Sequence, residues 1–195
     1  MPTVPNQDMR YYGSHTTAEI ASITGMVSGD RVYDSTEGLE KVYDGSEWRR
    51  TPQSDIIKFT PEGGLAVLLL NKTGATSVKG ALVKADTSID MAVVLTGTDE
   101  QECVGAFYDN GIPDGELAWV VVSGVAQVLL KDTTASTRGN WVKCSDTAGR
   151  ADATNAAPPG GGISELDEHM REIGHALETK TGGTNVLAKI VMHFN

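Results

Sequence analysis

The sequence predicts a mainly β protein: a small β-barrel or β-sandwich domain preceded by an extended arm and a small β-hairpin module. Three observations predict it. Short runs of aliphatic and β-branched residues recur along the chain, bounded by Gly, Asp and Asn. The 22 glycines, set against only 6% aromatic residues, supply the turns that many short strands require. Finally, Trp119 to Leu130 (WVVVSGVAQVLL) holds two apolar runs around Gly124, too short and too β-branched for a helix. Gly124 predicts a bulge or sharp bend at a sheet corner, which makes this stretch the spine of a barrel.

Residues 1–25 read as an extended N-terminal arm with one short helix. Pro2 and Pro5 fix φ and remove donors. Tyr11 and Tyr12 either meet a partner surface or belong to a disordered tail. Thr16-Thr17-Ala18-Glu19 has the hydroxyl cap and first-turn acid of a helix start, and Gly25 ends the segment. Residues 26–54 read as a β-hairpin module. Its near-repeat, RVYDS and KVYDG, places Val32 and Val42 on one face and Tyr33 and Tyr43 on the other, with Trp48 as an apolar anchor.

After the linker Thr51 to Ser54, residues 55–195 read as one barrel. Strands are expected at Leu65–Leu70, Gly80–Lys84, Met91–Leu95, Glu102–Tyr108, Trp119–Leu130 and Arg138–Cys144. Ala148 to Gly162 is small, proline-bearing and glycine-rich, and reads as a loop. A helical turn at Ser164–Glu168 then leads into two strands, Ile173–Leu177 and Val186–Phe194, around Gly182-Gly183. Val121, Val125, Val128, Leu68, Val93 and Val191 are expected to share a single core.

Composition removes several function classes. Sixteen Lys+Arg against 26 Asp+Glu give a formal charge of −10, the wrong sign for displacing counterions from nucleic acid. No apolar run approaches the ~20 residues that span a bilayer, and MPTVPNQDMR lacks the apolar core of a signal peptide. Cys103 and Cys144 have no CxxC partners and read as small buried thiols.

Chemistry-bearing patterns are also missing. His169 and His175 lie six apart outside any HExxH pattern, and with Asp167, Glu168 and Glu172 they read as solvated charges. Ser123-Gly124 lacks the first glycine of a nucleophile elbow. Gly160-Gly161-Gly162 has no following Lys-Ser/Thr, so it makes no phosphate loop. The expectation is no catalytic residue, no cofactor, no metal and no enzyme.

Two resemblances add a context. The pattern Gly29-Asp30, Val32-Tyr33-Asp34, a turn, Tyr43-Asp44-Gly45 and Trp48 resembles the small β-modules of tailed-phage virion proteins, tail fibres in particular. Most of residues 60–195 resembles the capsid decoration (cement) proteins of tailed phages, through an ordered series of features. These are the Gly124-Val125-Ala126 step, Gly139-Asn140-Trp141 before Ala148-Gly149-Arg150-Ala151, and Ile173 to Glu178 before a Gly-Gly hairpin and a last hydrophobic strand.

The second resemblance implies small barrels on an assembled shell, with the major capsid protein as partner. It also implies a location on the outer capsid surface of the virion and a homo-oligomer, a trimer, matched to local shell axes. The N-terminal module departs from the minimal decoration pattern. It leaves open a carbohydrate- or receptor-binding role in a head or tail fibre, with Tyr33, Tyr43 and Trp48 stacking on a surface glycan. Candidate partner contacts are Tyr11, Tyr12, Tyr33, Tyr43 and Trp48.

Overall fold

The aliphatic runs fold as strands, and the glycines and Asp-rich steps between them as turns. The computed structural model describes residues 10–50, 56–155 and 169–193. It divides into two units, Met1–Ile56 and Ile57–Asn195. The helical turn expected at Ser164–Glu168, the linker and residues 156–162 lie outside the described residues.

The first unit holds β1 (Tyr11–His15), α1 (Thr17–Ile20), β2 (Arg31–Asp34), β3 (Leu39–Tyr43) and β4 (Trp48–Arg50). They form a sheet in the order β1-β2-β3-β4, with β1 parallel to β2 and the other pairs antiparallel. Thus Tyr11–His15, within the stretch read as an arm, is a paired strand. The helix start is as expected: Thr16 and Glu19 form a capping box, each side chain bonding the other's backbone N–H.

The facial assignment in the hairpin needs correction. Val32 pairs with Lys41 and Arg31 with Val42, so even-numbered residues of β2 face odd-numbered residues of β3. Val32 therefore shares its face with Tyr43, and Val42 lies opposite, on the face of Tyr33. A repeat read along the chain aligns the two strands head to head. Antiparallel pairing reverses one of them, and the turn length decides the parity.

The second unit holds β5 (Ile57–Phe59), β6 (Gly64–Asn71), β7 (Leu82–Ala85), β8 (Ala92–Leu95), β9 (Cys103–Phe107) and β10 (Leu117–Leu129). It continues with β11 (Trp141–Cys144), β12 (Ala151–Thr154), β13 (Glu172–Ala176) and β14 (Leu187–Met192). Five strands close into a barrel: β6 pairs β10, β10 pairs β9, β9 pairs β7, β7 pairs β8, and β8 returns parallel to β6. This is the mainly β, barrel-bearing fold that the sequence predicts.

The same wiring then occurs a second time. The far half of β10 pairs β14, β14 pairs β13, β13 pairs β11, and β11 pairs β12. The circuit closes through a parallel bridge, Leu130 to Ala151, with the Lys131 N–H donating to the Ala151 carbonyl at 2.8 Å. Loop hydrogen bonds match too. Ser77 N–H reaches Ile112 O as Ser136 N–H reaches Lys180 O, and Trp119 N–H meets Asp109 Oδ2 as Lys189 N–H meets Glu178 Oε1. Residues 64–123 and 124–192 are thus two rings of one topology, with β10 serving both.

Gly124 marks the join. Its φ is +78°, and a Cβ there would lie 2.6 Å from the Gly63 carbonyl oxygen, so only glycine lets the strand pass. The register slips between Val121 and Ser123 beside it, the bend expected from sequence.

The single shared core does not form. Val121 and Val128 lie in the larger apolar cluster, which joins both rings, while Val93 lies in a separate cluster with Val83, Phe107 and Val120. Val125 and Val191 pair directly and turn together to the outer face, leaving Val191 37% exposed, and Leu68 is only partly buried. The loop reading of Ala148–Gly162 also fails in part, because Ala151–Thr154 is β12. Its small residues carry little strand propensity of their own, so pairing with β11 decides.

Candidate functional site

Of the five residues singled out as partner contacts, three are brought together. Tyr43 and Trp48 are cross-strand partners on β3 and β4, so their rings meet edge to face with centroids 5.4 Å apart. Tyr12 closes on the other edge of Trp48 at 6.0 Å, and its hydroxyl donates to Asp30 Oδ2 at 3.2 Å. Asp30 is fully buried and also accepts from the Val27 and Arg10 N–H groups and from the Arg10 guanidinium at 2.9 Å. Burial works to raise its pKa, but these donors outweigh it and hold the carboxyl below its ordinary range. Tyr11 and Tyr33 stand apart from this group, exposed at 63% and 39%.

A second buried carboxylate ties the β2–β3 turn. Asp34 accepts from Lys41 Nζ at 2.7 Å, Thr17 Oγ1 at 2.8 Å and the N–H groups of Thr36 and Glu37. Burial again works upward, yet the donors bring Asp34 down to about 2. Lys41 is raised in turn: its own burial opposes this, but hydrogen bonds to Asp34 and Glu37 prevail.

In the second unit the two cysteines are buried and free. The hydrogen bond with Cys144, together with burial, raises the Cys103 thiol well above its ordinary value, which removes any thiolate character.

The arrangement that sequence reasoning missed is on β13 and β14. The register slip opposite Val142 and Lys143 makes Ile173 the extra residue, so Glu172 and His175 project from the same face despite their odd spacing. His193 follows two residues after Val191, the partner of His175, and shares that face. The outcome is tight. His175 Nδ1 lies 3.0 Å from His193 Nε2 and 3.6 Å from Glu172 Oε1, and His193 Nε2 lies 3.4 Å from the same oxygen. His169 Nδ1 reaches the other oxygen, Oε2, at 3.1 Å, and the Trp141 ring packs over His175 at 4.5 Å. Glu172 is not the solvated charge read from sequence: its side chain is 3% exposed.

Strand register shows where this cluster sits relative to the repeated topology. In the first ring one cross-strand row runs Ala66, Val121, Ala106, Leu82, and all four are buried in the cluster that joins the rings. The corresponding row of the second ring runs Val125, Val191, His175, Trp141, and it is only partly covered. The bulge recurs as well, opposing Lys84 to Cys103 in one ring and Lys143 to Glu172 in the other. Glu172 and His175 therefore occupy the positions of Cys103 and Ala106. The signal available in the sequence was the aligned pair Leu82-Val83-Lys84 and Trp141-Val142-Lys143, with Val104-Gly105 and Ile173-Gly174.

No family model matches the chain, and no curated protein matches it. Among solved structures, the chain is similar to the N base of head fiber gp8.5 of bacteriophage phi29, at 14% identity and a TM-score of 0.39 over 66% of this chain and 92% of that one.

Proposed function

We propose that the chain is a structural virion protein that binds the outside of a phage capsid through the major capsid protein, as a homotrimer, and stabilises the shell without catalysis. The observation that carries this reading is the packing of Tyr12, Tyr43 and Trp48 against one another over Asp30. A glycan platform needs aromatic faces turned to solvent. Here the edges and faces of these rings serve the small sheet's own cohesion.

Apolar side chains are instead offered on the first ring. Leu117 pairs with Leu70, whose N–H bonds the Met91 carbonyl, so Leu117 and Met91 flank one strand end and are both largely exposed. Such side chains suit contact with a shell, and interface that exists only in the assembled particle shifts stability toward that particle by mass action. The alternative, a carbohydrate- or receptor-binding fibre module, is favoured by the exposed rings of Tyr11 and Tyr33.

The test compares particles with and without this protein under heat and osmotic shock. Better survival of particles carrying it, at a copy number set by the shell lattice, is expected. Equal survival, with the protein confined to the tail tip, would overturn the cement role in favour of the alternative.

A further inference from the structure

We propose that Glu172, His175 and His193 bind a zinc ion. The two rings supply an internal comparison. At the positions of Glu172 and His175 the first ring has Cys103 and Ala106 and closes in the same way, so the topology itself demands neither polar side chain. A carboxylate thus stands buried where the other ring has a small thiol, and it draws three histidines around it.

The geometry fits the ion. Zinc with His nitrogen at about 2.1 Å in tetrahedral coordination separates its ligand atoms by about 3.4 Å. The three distances here are 3.0, 3.4 and 3.6 Å, one triangular face of such a site. Two imidazole nitrogens and one carboxylate oxygen are a donor set that suits zinc over magnesium or calcium.

The surroundings match what orients metal ligands. His169 engages the oxygen of Glu172 that faces away from the triangle, which fixes the carboxylate's rotation. Trp141 packs on the His175 ring and limits its tilt. The side chains of His175 and His193 remain 34% and 41% exposed, so the ion has an entry path and a fourth position open to water or to an outside ligand.

The test uses the whole chain, stripped with chelator and titrated with zinc chloride by calorimetry, with cobalt as a spectroscopic stand-in. One zinc per chain, a rise in melting temperature and the visible absorption of tetrahedral cobalt are expected. H175A installs the residue that the first ring carries at the corresponding position, and H193S changes a partly exposed side chain beyond the end of β14, so both preserve folding; each weakens zinc binding at least tenfold. H15A, on the other unit, leaves binding unchanged. The proposal is overturned if the parent chain takes up no zinc, or if H175A and H193S bind it as the parent does. A histidine network that holds only protons would give the first of these results.

Discussion

Asp34 concentrates more of the first unit's stability than any exposed ion pair there, because its partners are oriented and largely shielded from water. Asp34→Asn leaves the Lys41 ammonium, 8% exposed, with Glu37 as its remaining carboxylate and removes the nearer charge-assisted bond, at a cost of about 1.5–3 kcal/mol. Hydrogen exchange of residues 31–43 reads that loss directly. The pH dependence follows from the depressed pKa. The stabilisation is present above the ordinary value of 3.8 and disappears as pH falls through about 2, so protection relative to the intrinsic exchange rate falls across that interval in the parent and the Asn variant loses this acid limb. At the alkaline end the raised Lys41 keeps its contribution through its ordinary range and loses it above that. Burial discriminates among valines in the other unit. Val128→Ala, in the joined core, should cost about 2–3 kcal/mol, whereas Val191→Ala on the open row should cost well under 1; denaturant melts of the two variants check the difference.

Among the elements, β10 is both the most legible and the least fully read. Its two apolar runs and the bend at Gly124 follow from composition, because a buried strand with a central glycine has few alternatives. Gly124→Ala forces a Cβ against the Gly63 carbonyl in left-handed backbone and is expected to cost about 1–3 kcal/mol, seen as a lowered melting temperature. Other elements were less accessible. β12 is Ala-Asp-Ala-Thr and holds its place by pairing, which no local pattern announces. The histidine cluster depends on one bulged residue, Ile173, that restores Glu172 to the face of His175; period-two counting puts those residues on opposite faces. The facing of Tyr33 and Tyr43 failed for a related reason, since turn length sets antiparallel parity. Strands are local and were readable, whereas sites made by register are not.

From Gly64 to Met192 the second unit repeats one strand circuit, and its two halves meet different surroundings. The row on the first ring is apolar because the second ring covers it. The matching row on the second ring carries Trp141 and His175 because nothing among the described residues covers it as fully. Terminal members of repeat arrays differ from internal ones in this way, with a polar outer face that keeps the stack soluble. Removing that polarity, as E172C/H175A, should bring the second ring's face closer in character to the first's. Concentration-dependent head-to-tail association is then expected in light scattering, and a strictly unchanged hydrodynamic radius would contradict it.

The strand held in common has a consequence for synthesis. Every strand of the first ring has been made once Ser123 is reached, yet the row Ala66, Val121, Ala106 and Leu82 stays in water until β14 is added, about 70 residues later. At roughly 5–20 residues per second the ribosome leaves that surface bare for about 4–14 s. A nascent chain in this interval is sticky by construction. Chains truncated after Ser123 should bind hydrophobic dyes and precipitate, while those extended to Met192 should not, so the protein's yield in cells will depend on translation speed across residues 124–192.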